Sequence, residues 1–173
     1  MKQTMQKITF LTTGGTIDKT YDEGEGSLEN RKSPVAMMAS KLRLPYKKIE
    51  VKMILNKDSL EMTAEDRQLI ADSIANEMKQ NNNPIIVIHG TDTMDQTIKF
   101  VYQQITNPLA PIVFTGAMRP LEMAENDGLQ NITEAIMAAG ILPPGIYLSF
   151  HSTIFNAPHL VKNKKTGTFE YCK

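Results

Sequence analysis

The sequence contains a single cysteine, Cys172, and no long hydrophobic run. One cysteine excludes an intrachain disulfide and a metal site built from several cysteines. No apolar stretch approaches the roughly 20 residues that a membrane-spanning helix needs, and no apolar segment typical of a secretory signal precedes the first strand-like run. From the free thiol and the missing export signal we expect a cytoplasmic protein without a membrane partner.

Net charge is also absent, because 19 Lys and Arg residues balance 19 Asp and Glu residues. A chain with zero net charge has no overall electrostatic attraction to nucleic acid or to an anionic membrane. We therefore expect no nucleic-acid partner, and a small-molecule substrate that is recognised locally. The 41% hydrophobic and 22% charged content over 173 residues is typical of a soluble globular domain with one core.

The glycine-containing stretch near the N-terminus lacks both common phosphate-binding patterns. Gly14 and Gly15 are not part of a G-x-G-x-x-G fingerprint, and no Gly-Lys-Ser/Thr follows them. A bare Gly-Gly-Thr is equally typical of a tight turn whose threonine caps a helix. The stretch indicates a function only if other parts of the chain support it.

Apolar patterning predicts strands that alternate with helices. The predicted strands cover 8–13, 49–55, 84–90, 111–117 and 145–150, and the predicted helices cover 34–42, 63–79, 94–105 and 129–140. Ser33 is the expected cap of the first helix, residues 18–33 form a long surface loop, and the chain after Phe150 forms a short arm or a return strand. The alternation favours right-handed crossovers. We predict an α/β fold of three layers, with a mostly parallel sheet flanked by helices.

Ligands of an open parallel sheet bind at the carboxyl ends of its strands. In this chain those ends carry hydroxyls and carboxylates, with little histidine and no cysteine. They are Thr12, Thr13, Thr16, Asp58, Ser59, Glu61, His89, Thr91, Asp92, Thr93 and Thr115. This set suits nucleophilic catalysis and the binding of a charged small molecule, and it supplies no metal or phosphate ligands. We therefore expect neither a metal nor another cofactor.

Two of these threonines are candidate catalytic hydroxyls. A threonine hydroxyl is a weak nucleophile at neutral pH and needs a neighbouring base or proton relay. Tyr21, in the predicted loop five residues after Thr16, could close over that hydroxyl. At another strand end Thr91 and Asp92 place a hydroxyl beside an anion, where a buried lysine could supply a base. The candidate lysines are Lys162, Lys164 and Lys165, although such a charge run is equally typical of a solvated surface.

Four segments together resemble the bacterial-type L-asparaginases: TGGTI at 13–17, DSLEMT at 58–63, HGTDTM at 89–94 and TGAMRP at 115–120. The resemblance covers nearly the whole chain and corresponds to the N-terminal domain of the usual family member. It implies a Rossmann- or flavodoxin-like fold and a homo-oligomer, either a dimer or a tetramer. It also implies cofactor-free hydrolysis of the side-chain amide of L-asparagine, and more slowly of glutamine, through an acyl-enzyme.

The resemblance assigns the catalytic roles. Thr16 would be the nucleophile and Tyr21 its partner on a closing lid. Thr91, Asp92 and Lys162 would form a second catalytic group that activates a hydroxyl or a water molecule.

The same resemblance selects one lysine and the substrate-binding residues. Lys162 lies nine residues after Thr153, a spacing similar to the family's, which Lys164 and Lys165 do not fit. Ser59 would bind the substrate α-carboxylate, Asp92 the α-ammonium group, and the backbone around Thr91 and Ala117 the oxyanion. The substrate-binding set is Gly15, Asp58, Ser59, Gly90 and Ala117.

Two departures from the family pattern bear on the function. Leu60 stands where many relatives have a polar residue that touches the substrate carboxylate, which affects affinity and specificity. Typical members also carry a second, smaller α/β domain, which in tetramers lends residues to the neighbouring subunit's site. We expect residues 1–173 to form one catalytic domain without it, as in short members of the family; a truncated chain is the alternative.

Two other functions remain open at this stage. One is a catalytically silent asparagine-binding or regulatory module. The other is the amide-hydrolysing subunit of a tRNA-dependent amidotransferase, which shares this ancestry. The zero net charge and the lack of a basic stripe weigh against the amidotransferase subunit.

Overall fold

A six-stranded sheet forms the centre of the structure, which is a computed structural model that describes residues 4–30 and 33–172. In chain order the strands are β1 (Gln6–Gly14), β2 (Lys19–Asp22), β3 (Ser27–Asn30), β4 (Lys47–Lys57), β5 (Ile85–Ile88), β6 (Pro111–Thr115), β7 (Gly145–Phe150), β8 (Thr153–Asn156), β9 (Leu160–Asn163) and β10 (Thr168–Tyr171). The helices are α1 (Val35–Lys41), α2 (Ala64–Gln80), α3 (Met94–Gln104) and α4 (Gly128–Ile141). The predicted alternation of strands and helices is confirmed.

The sheet has the strand order β4-β1-β5-β6-β7-β8, in which the first five strands are parallel and β8 runs antiparallel. After β1 the chain enters β4 on one side, and it then crosses to β5 on the other side of β1. Strand order therefore reverses between β1 and β5, and the connections that leave these two strands run in opposite directions. A ligand site is expected there.

Each face of the sheet is covered by two helices, as a three-layer fold requires. Consecutive residues of β1 face opposite sides: Leu11 packs in the core with α2 and α3, whereas Phe10 packs in the core with α1 and α4. Every residue of β5 and β6 is buried. Their unbroken apolar runs, unlike an alternating pattern, are explained by this burial on both faces.

The predicted loop over residues 18–33 is wrong for most of its length. Residues 19–30 contain a hairpin, in which β2 pairs antiparallel with β3 and Tyr21 lies opposite Leu28. The turn is closed by a bond from the Gly26 N–H to the Asp22 carbonyl (2.8 Å), with Gly26 at φ 63°. The hairpin lacked the apolar alternation by which strands are recognised in a sequence. Residues 31 and 32 of the predicted loop lie outside the described residues.

Three smaller differences concern helix ends and the C-terminal segment. Helix α1 begins one residue later than predicted, with Pro34 at its N-cap, while the Ser33 hydroxyl accepts a 3.4 Å bond from the Val35 N–H. Leu129 was expected on the buried face of α4 but is largely exposed. After Phe150 the chain forms both a return strand, β8, and a hairpin of β9 and β10.

Among the described helices, none combines the length and the apolar character that crossing a membrane requires.

Candidate active site

Three strand ends meet at the point where strand order reverses. A Cβ atom built on Gly15 would lie 2.4 Å from the Cα atom of Gly90, and one built on Gly90 would lie 2.7 Å from the Ser59 hydroxyl oxygen. Gly15 also has φ 87°, a conformation that favours glycine. The ends of β1 and β5 therefore touch through backbone atoms, and the Ser59 side chain after β4 packs against Gly90; a side chain at either glycine would separate them.

Threonine hydroxyls hold these strand ends in place. The Thr13 hydroxyl donates to the Ile88 carbonyl (2.9 Å), which fixes the end of β1 against that of β5. The Thr93 hydroxyl donates to the Ser59 carbonyl (2.7 Å), which fixes the turn after β4. Both hydroxyls are buried and satisfied by these bonds. Thr13 and Thr93 therefore stabilise the fold, unlike the neighbouring Thr91.

The structure brings Lys162 to Thr91 and Asp92. The Lys162 Nζ atom lies 2.8 Å from the Thr91 hydroxyl oxygen and 2.7 Å from Asp92 Oδ1. The lysine side chain, on β9, is only 10% exposed, and Thr91 is 3% exposed. Lys164 and Lys165, the other candidate lysines, are exposed. Of the three lysines considered, Lys162 is the one that the fold inserts among the strand ends.

Ser59 presents a buried hydroxyl to the same place. Ser59 is 1% exposed, and among the described residues its hydroxyl oxygen has no hydrogen-bond partner. A buried polar group without a partner costs roughly 1–3 kcal/mol. A hydroxyl that a ligand can satisfy explains why such a group is tolerated at this position.

Asp58 binds a lysine that the sequence did not indicate. Its Oδ1 atom accepts from the Leu60 N–H (3.1 Å) and so caps the short 3-10 turn Ser59–Glu61, while its Oδ2 atom lies 2.7 Å from Lys19 Nζ. Lys19 holds the pKa of the Asp58 carboxyl below its usual value, although burial opposes this. Lys19 belongs to β2, so the bond joins the β2–β3 hairpin to the site. No recognisable spacing in the sequence signals this pair.

Thr16 and Tyr21, five residues apart in the sequence, are not hydrogen-bonded to each other through their side chains among the described residues. Thr16, half-buried, opens a 3-10 turn, Thr16–Asp18, and its carbonyl accepts from the Lys19 N–H. Tyr21 lies on β2 with 58% of its surface exposed, and its N–H donates to Glu122 Oε1 (2.5 Å). Within the described part of the chain, no hydrogen bond joins the two hydroxyls.

The segment after β6 carries Ala117, which is buried beside Met118. The Met118 sulfur accepts a 3.6 Å bond from the Thr91 hydroxyl, which places this segment next to Thr91. Two side chains near the start of α4 hold the backbone of this segment. Asp127 accepts from the Met118 N–H (2.9 Å), and Asn131 donates to the Gly116 carbonyl (2.9 Å).

The contribution of Asp127 and Asn131 to the site was not predicted from the sequence. Burial tends to raise the pKa of Asp127, but bonds from the Met118 N–H and from His151 leave it below its usual value. Asn131 is fully buried and also accepts from the His151 N–H (3.1 Å). An aspartate at a helix start and an asparagine inside a helix are too common for sequence alone to identify them.

His89 is buried and neutral. Desolvation lowers its pKa to about 4. Nδ1 lies 2.7 Å from the Gly90 carbonyl oxygen, and Nε2 lies 2.9 Å from the Thr97 hydroxyl. Because a carbonyl only accepts, Nδ1 carries the proton and Nε2 accepts from Thr97. His89 therefore orients Gly90 and is not positioned to act as an acid or base.

Asp18 is a buried acid that the sequence did not single out. It is 1% exposed and accepts bonds from the Ser33 hydroxyl (2.7 Å) and the Gly14 N–H. Burial raises the pKa of this carboxyl to about 6, against the opposing effect of these two bonds. Among the described residues, no group of three or more His, Cys, Asp or Glu side chains is arranged to hold a metal ion.

Comparison with known proteins identifies the family. The family model for the N-terminal part of asparaginases, "Asparaginase, N-terminal", matches residues 7–170. An L-asparaginase from Thermococcus kodakarensis is 30% identical over 161 residues, which is 93% of this chain and 49% of that protein. A glutamyl-tRNA(Gln) amidotransferase subunit from Methanobrevibacter smithii is 30% identical over 135 residues, which is 78% of this chain and 31% of that protein. The chain thus spans half or less of the length of these relatives.

Solved structures give the same result for the fold. The structure of the thermostable L-asparaginase from Thermococcus kodakarensis matches with a TM-score of 0.85 and 28% identity, over 96% of this chain and 51% of that one. L-asparaginase I from Vibrio cholerae, at 24% identity, shares the fold with a TM-score of 0.83, over 96% of this chain and 51% of that one. The α/β fold predicted from the sequence is confirmed. The chain belongs to the asparaginase family, and residues 7–170 correspond to that family's N-terminal domain.

Proposed function

We propose that this chain hydrolyses the side-chain amide of L-asparagine to L-aspartate and ammonia, and acts more slowly on glutamine. The observation that carries the proposal is the buried Lys162, bonded to Thr91 and Asp92 where the strand ends converge. Membership of an amide-hydrolysing family supports it. We also propose that the protein acts in the cytoplasm, as its free thiol indicates, and that it forms a homo-oligomer.

The charges of the site fit a zwitterionic amino acid. The Ser59 hydroxyl, which lacks a partner among the described residues, donates to the substrate α-carboxylate. Lys162 is bonded to Asp92 Oδ1, and a carboxylate accepts at both of its oxygens, so Asp92 can also receive the α-ammonium group. The cations Lys19 and Lys162 are each paired with an aspartate.

In the acylation step the Thr16 hydroxyl oxygen attacks the side-chain carbonyl carbon of asparagine. Backbone N–H groups around Thr91 and Ala117 stabilise the oxyanion that develops, and the loss of one such donor typically costs about 3 kcal/mol of barrier. The C–N bond then breaks, and the proton of the Thr16 hydroxyl leaves with the nitrogen as ammonia. Tyr21 relays this proton when the β2–β3 hairpin closes. The product is an aspartyl ester on Thr16.

In the deacylation step a water molecule attacks the ester carbonyl carbon. The Lys162 ammonium group first gives a proton to solvent. The proton of the attacking water then passes to the Thr91 oxygen, while the Thr91 proton passes to the neutral amine of Lys162. Asp92 stabilises the ammonium group that this creates on Lys162. When the ester C–O bond breaks, the Thr16 oxygen takes a proton back from Lys162 through Thr91. The new carboxyl group gives its remaining proton to ammonia or solvent, and aspartate is released.

A second candidate is supported by the similarity to the glutamyl-tRNA(Gln) amidotransferase subunit. A protein of this kind would release ammonia from an amide for use on glutamyl-tRNA(Gln). The catalytic residues would be the same, but the rate would depend on the tRNA. Neither function involves a cofactor.

Ammonia release from free asparagine and free glutamine, with and without glutamyl-tRNA(Gln), separates these functions. We expect turnover of asparagine that is faster than that of glutamine and unchanged by the tRNA. Stimulation by the tRNA would favour the amidotransferase function. Thermal stabilisation by asparagine without ammonia release would indicate a silent binding module and would contradict the proposal.

A further inference from the structure

The buried carboxylate of Asp18, two residues after Thr16, has no part in the steps above. Unlike Asp58 and Asp92, it has no lysine partner among the described residues. The groups that face it are the Ser33 hydroxyl, from the segment before α1, and the Gly14 N–H at the end of β1. Within the described part of the chain, no charged side chain contributes to its titration.

The bonds of Asp18 close the turn on both sides of Thr16. Its backbone N–H donates to the Gly15 carbonyl (3.1 Å), and its carboxylate accepts from the Gly14 N–H. Gly14 and Gly15 are both left-handed, at φ 97° and 87°. The end of β4 holds one side of this turn, because the Gly15 N–H donates to the Lys57 carbonyl (2.9 Å). The Asp18 carboxylate holds the other side.

Ser33 ties the turn to the rest of the fold. Its hydroxyl donates to Asp18 Oδ1 (2.7 Å) and accepts from the Val35 N–H (3.4 Å) at the start of α1. Val35 is fully buried in the core with α4. The carboxylate is thereby anchored to a rigid element.

We propose that ionised Asp18 is a positioning residue, which holds the Gly14–Gly15 turn so that the Thr16 hydroxyl faces the substrate, and that Ser33 anchors it. This inference rests on the proposed function of Thr16. A hydroxyl displaced by about 1 Å from its reactive position can lose about a hundredfold in rate. The turn is therefore a place where a residue that never touches the substrate can control the rate.

The ionisation state of Asp18 gives this role a signature. Burial raises the pKa of Asp18 to about 6, so the group is ionised at pH 8 and mostly protonated at pH 5. A protonated carboxyl donates through one oxygen and accepts fewer bonds. The turn is then held less firmly. An asparagine at this position would resemble the protonated form at every pH.

The test compares kcat for asparagine in the wild type, Asp18→Asn and the exposed control Asp72→Asn between pH 5 and pH 8. We expect the ratio of wild-type to Asp18→Asn kcat to be about 10 at pH 8 and about 2 at pH 5, with KM changed less than about twofold, since positioning affects the reacting complex. Asp72→Asn should follow the wild type at every pH. A constant ratio, or equal rates, would overturn the inference.

Ser33 provides an independent variant that leaves the carboxylate in place. Ser33→Ala removes a bond that favours the ionised form, so the acid limb of kcat should move up by about one pH unit. Ser33→Thr keeps the hydroxyl and should leave the limb where it is. An unchanged acid limb of kcat in Ser33→Ala overturns the inference even if Asp18→Asn does not fold.

Absence of ammonia release by the wild type overturns the proposed function and the inference together. An active Asp18→Asn with wild-type kcat at every pH overturns the inference alone.

Discussion

Lys162 is the residue on which the proposed second step depends. It is nearly buried between Thr91 and Asp92, whereas Lys165, three residues later, is exposed in the turn between β9 and β10. Lys162→Met removes the proton acceptor and leaves Asp92 without its cation, so we expect a loss of ammonia release of at least about a hundredfold. Lys165→Met should stay within about twofold of the wild type. Equal losses in both variants, measured with saturating asparagine, would contradict this role for Lys162.

His89 and Asp18 affect stability in opposite directions as the pH falls. Burial lowers the pKa of His89 from 6.5 to about 4, so the unfolded chain takes up a proton first and stability is lost as pH falls through this window. Burial raises the pKa of Asp18 from 3.8 to about 6, so here the folded chain takes up the proton first and stability is gained. In the wild type the two effects largely cancel.

The Asp18→Asn variant lacks the gain in stability that protonation of Asp18 gives, so the effect of His89 is no longer cancelled. We expect this variant to lose about 1 kcal/mol more stability than the wild type between pH 7 and pH 5, because the loss due to His89 is no longer offset. Urea unfolding at the two pH values measures the difference, and the remaining carboxylates cancel in the comparison. An equal loss in both proteins would show that the folded Asp18 does not titrate in this range.

Some residues of the site could be predicted from the sequence, and others could not. Thr16 and Thr91 stood in segments that resemble a known family, and Lys162 was selected by its spacing from Thr153. The structure places Lys162 against Thr91. Asp18 and Asn131 had no such signal. Their importance lies in burial and in bonds to residues far apart in the sequence, which composition and periodicity do not report.

At the scale of elements, the β2–β3 hairpin carries Tyr21 and bonds the rest of the fold through Lys19 and through the Tyr21 backbone. Lys19 bonds Asp58 at the end of β4, and the Tyr21 N–H bonds Glu122. A part-buried ion pair of this kind contributes about 1 kcal/mol or less to stability. It can nevertheless affect where the hairpin rests, because it joins the hairpin directly to the end of β4.

We therefore expect Lys19→Met to lower kcat/KM for asparagine by about tenfold while changing Tm by less than about 3 °C. The matched control is Lys7→Met, which removes an ion pair between Lys7 on β1 and Glu50 on β4. That pair should matter little for activity because it lies at the opposite end of β1 from the site. Similar kinetics in the two variants, together with similar Tm values, would contradict a specific role for the hairpin contact.

Elements with a strong local pattern were predictable, and elements without one were not. Helix α2 was recognised from Thr63 and the acidic residues after it, and the structure shows a capping box in which Thr63 and Asp66 bond each other's backbone N–H groups. Strand β5 was recognised from its apolar run. The β2–β3 hairpin buries no apolar face of its own, so its pairing left no trace in the sequence.

At the scale of the molecule, the alternation of strands and helices was sufficient to predict a parallel three-layer fold. The strand order was not predictable from that alternation, and it is the order β4-β1-β5 that brings Gly15, Ser59 and Gly90 together. The position of Lys162 also depends on the whole fold. It comes from a C-terminal hairpin, 71 residues after Thr91, that folds back over the strand ends.

The central claim is that these strand ends form a site for hydrolysis of an amide through Thr16 and Thr91. Its most direct test is the rate of ammonia release from L-asparagine by the wild type, Thr16→Ala and Thr91→Ala, with Thr166→Ala, an exposed threonine in the β9–β10 turn, as control. We predict turnover by the wild type and by the control, and a loss of at least about a hundredfold in the other two variants. Full activity in Thr16→Ala, or no ammonia release by the wild type, would contradict the account.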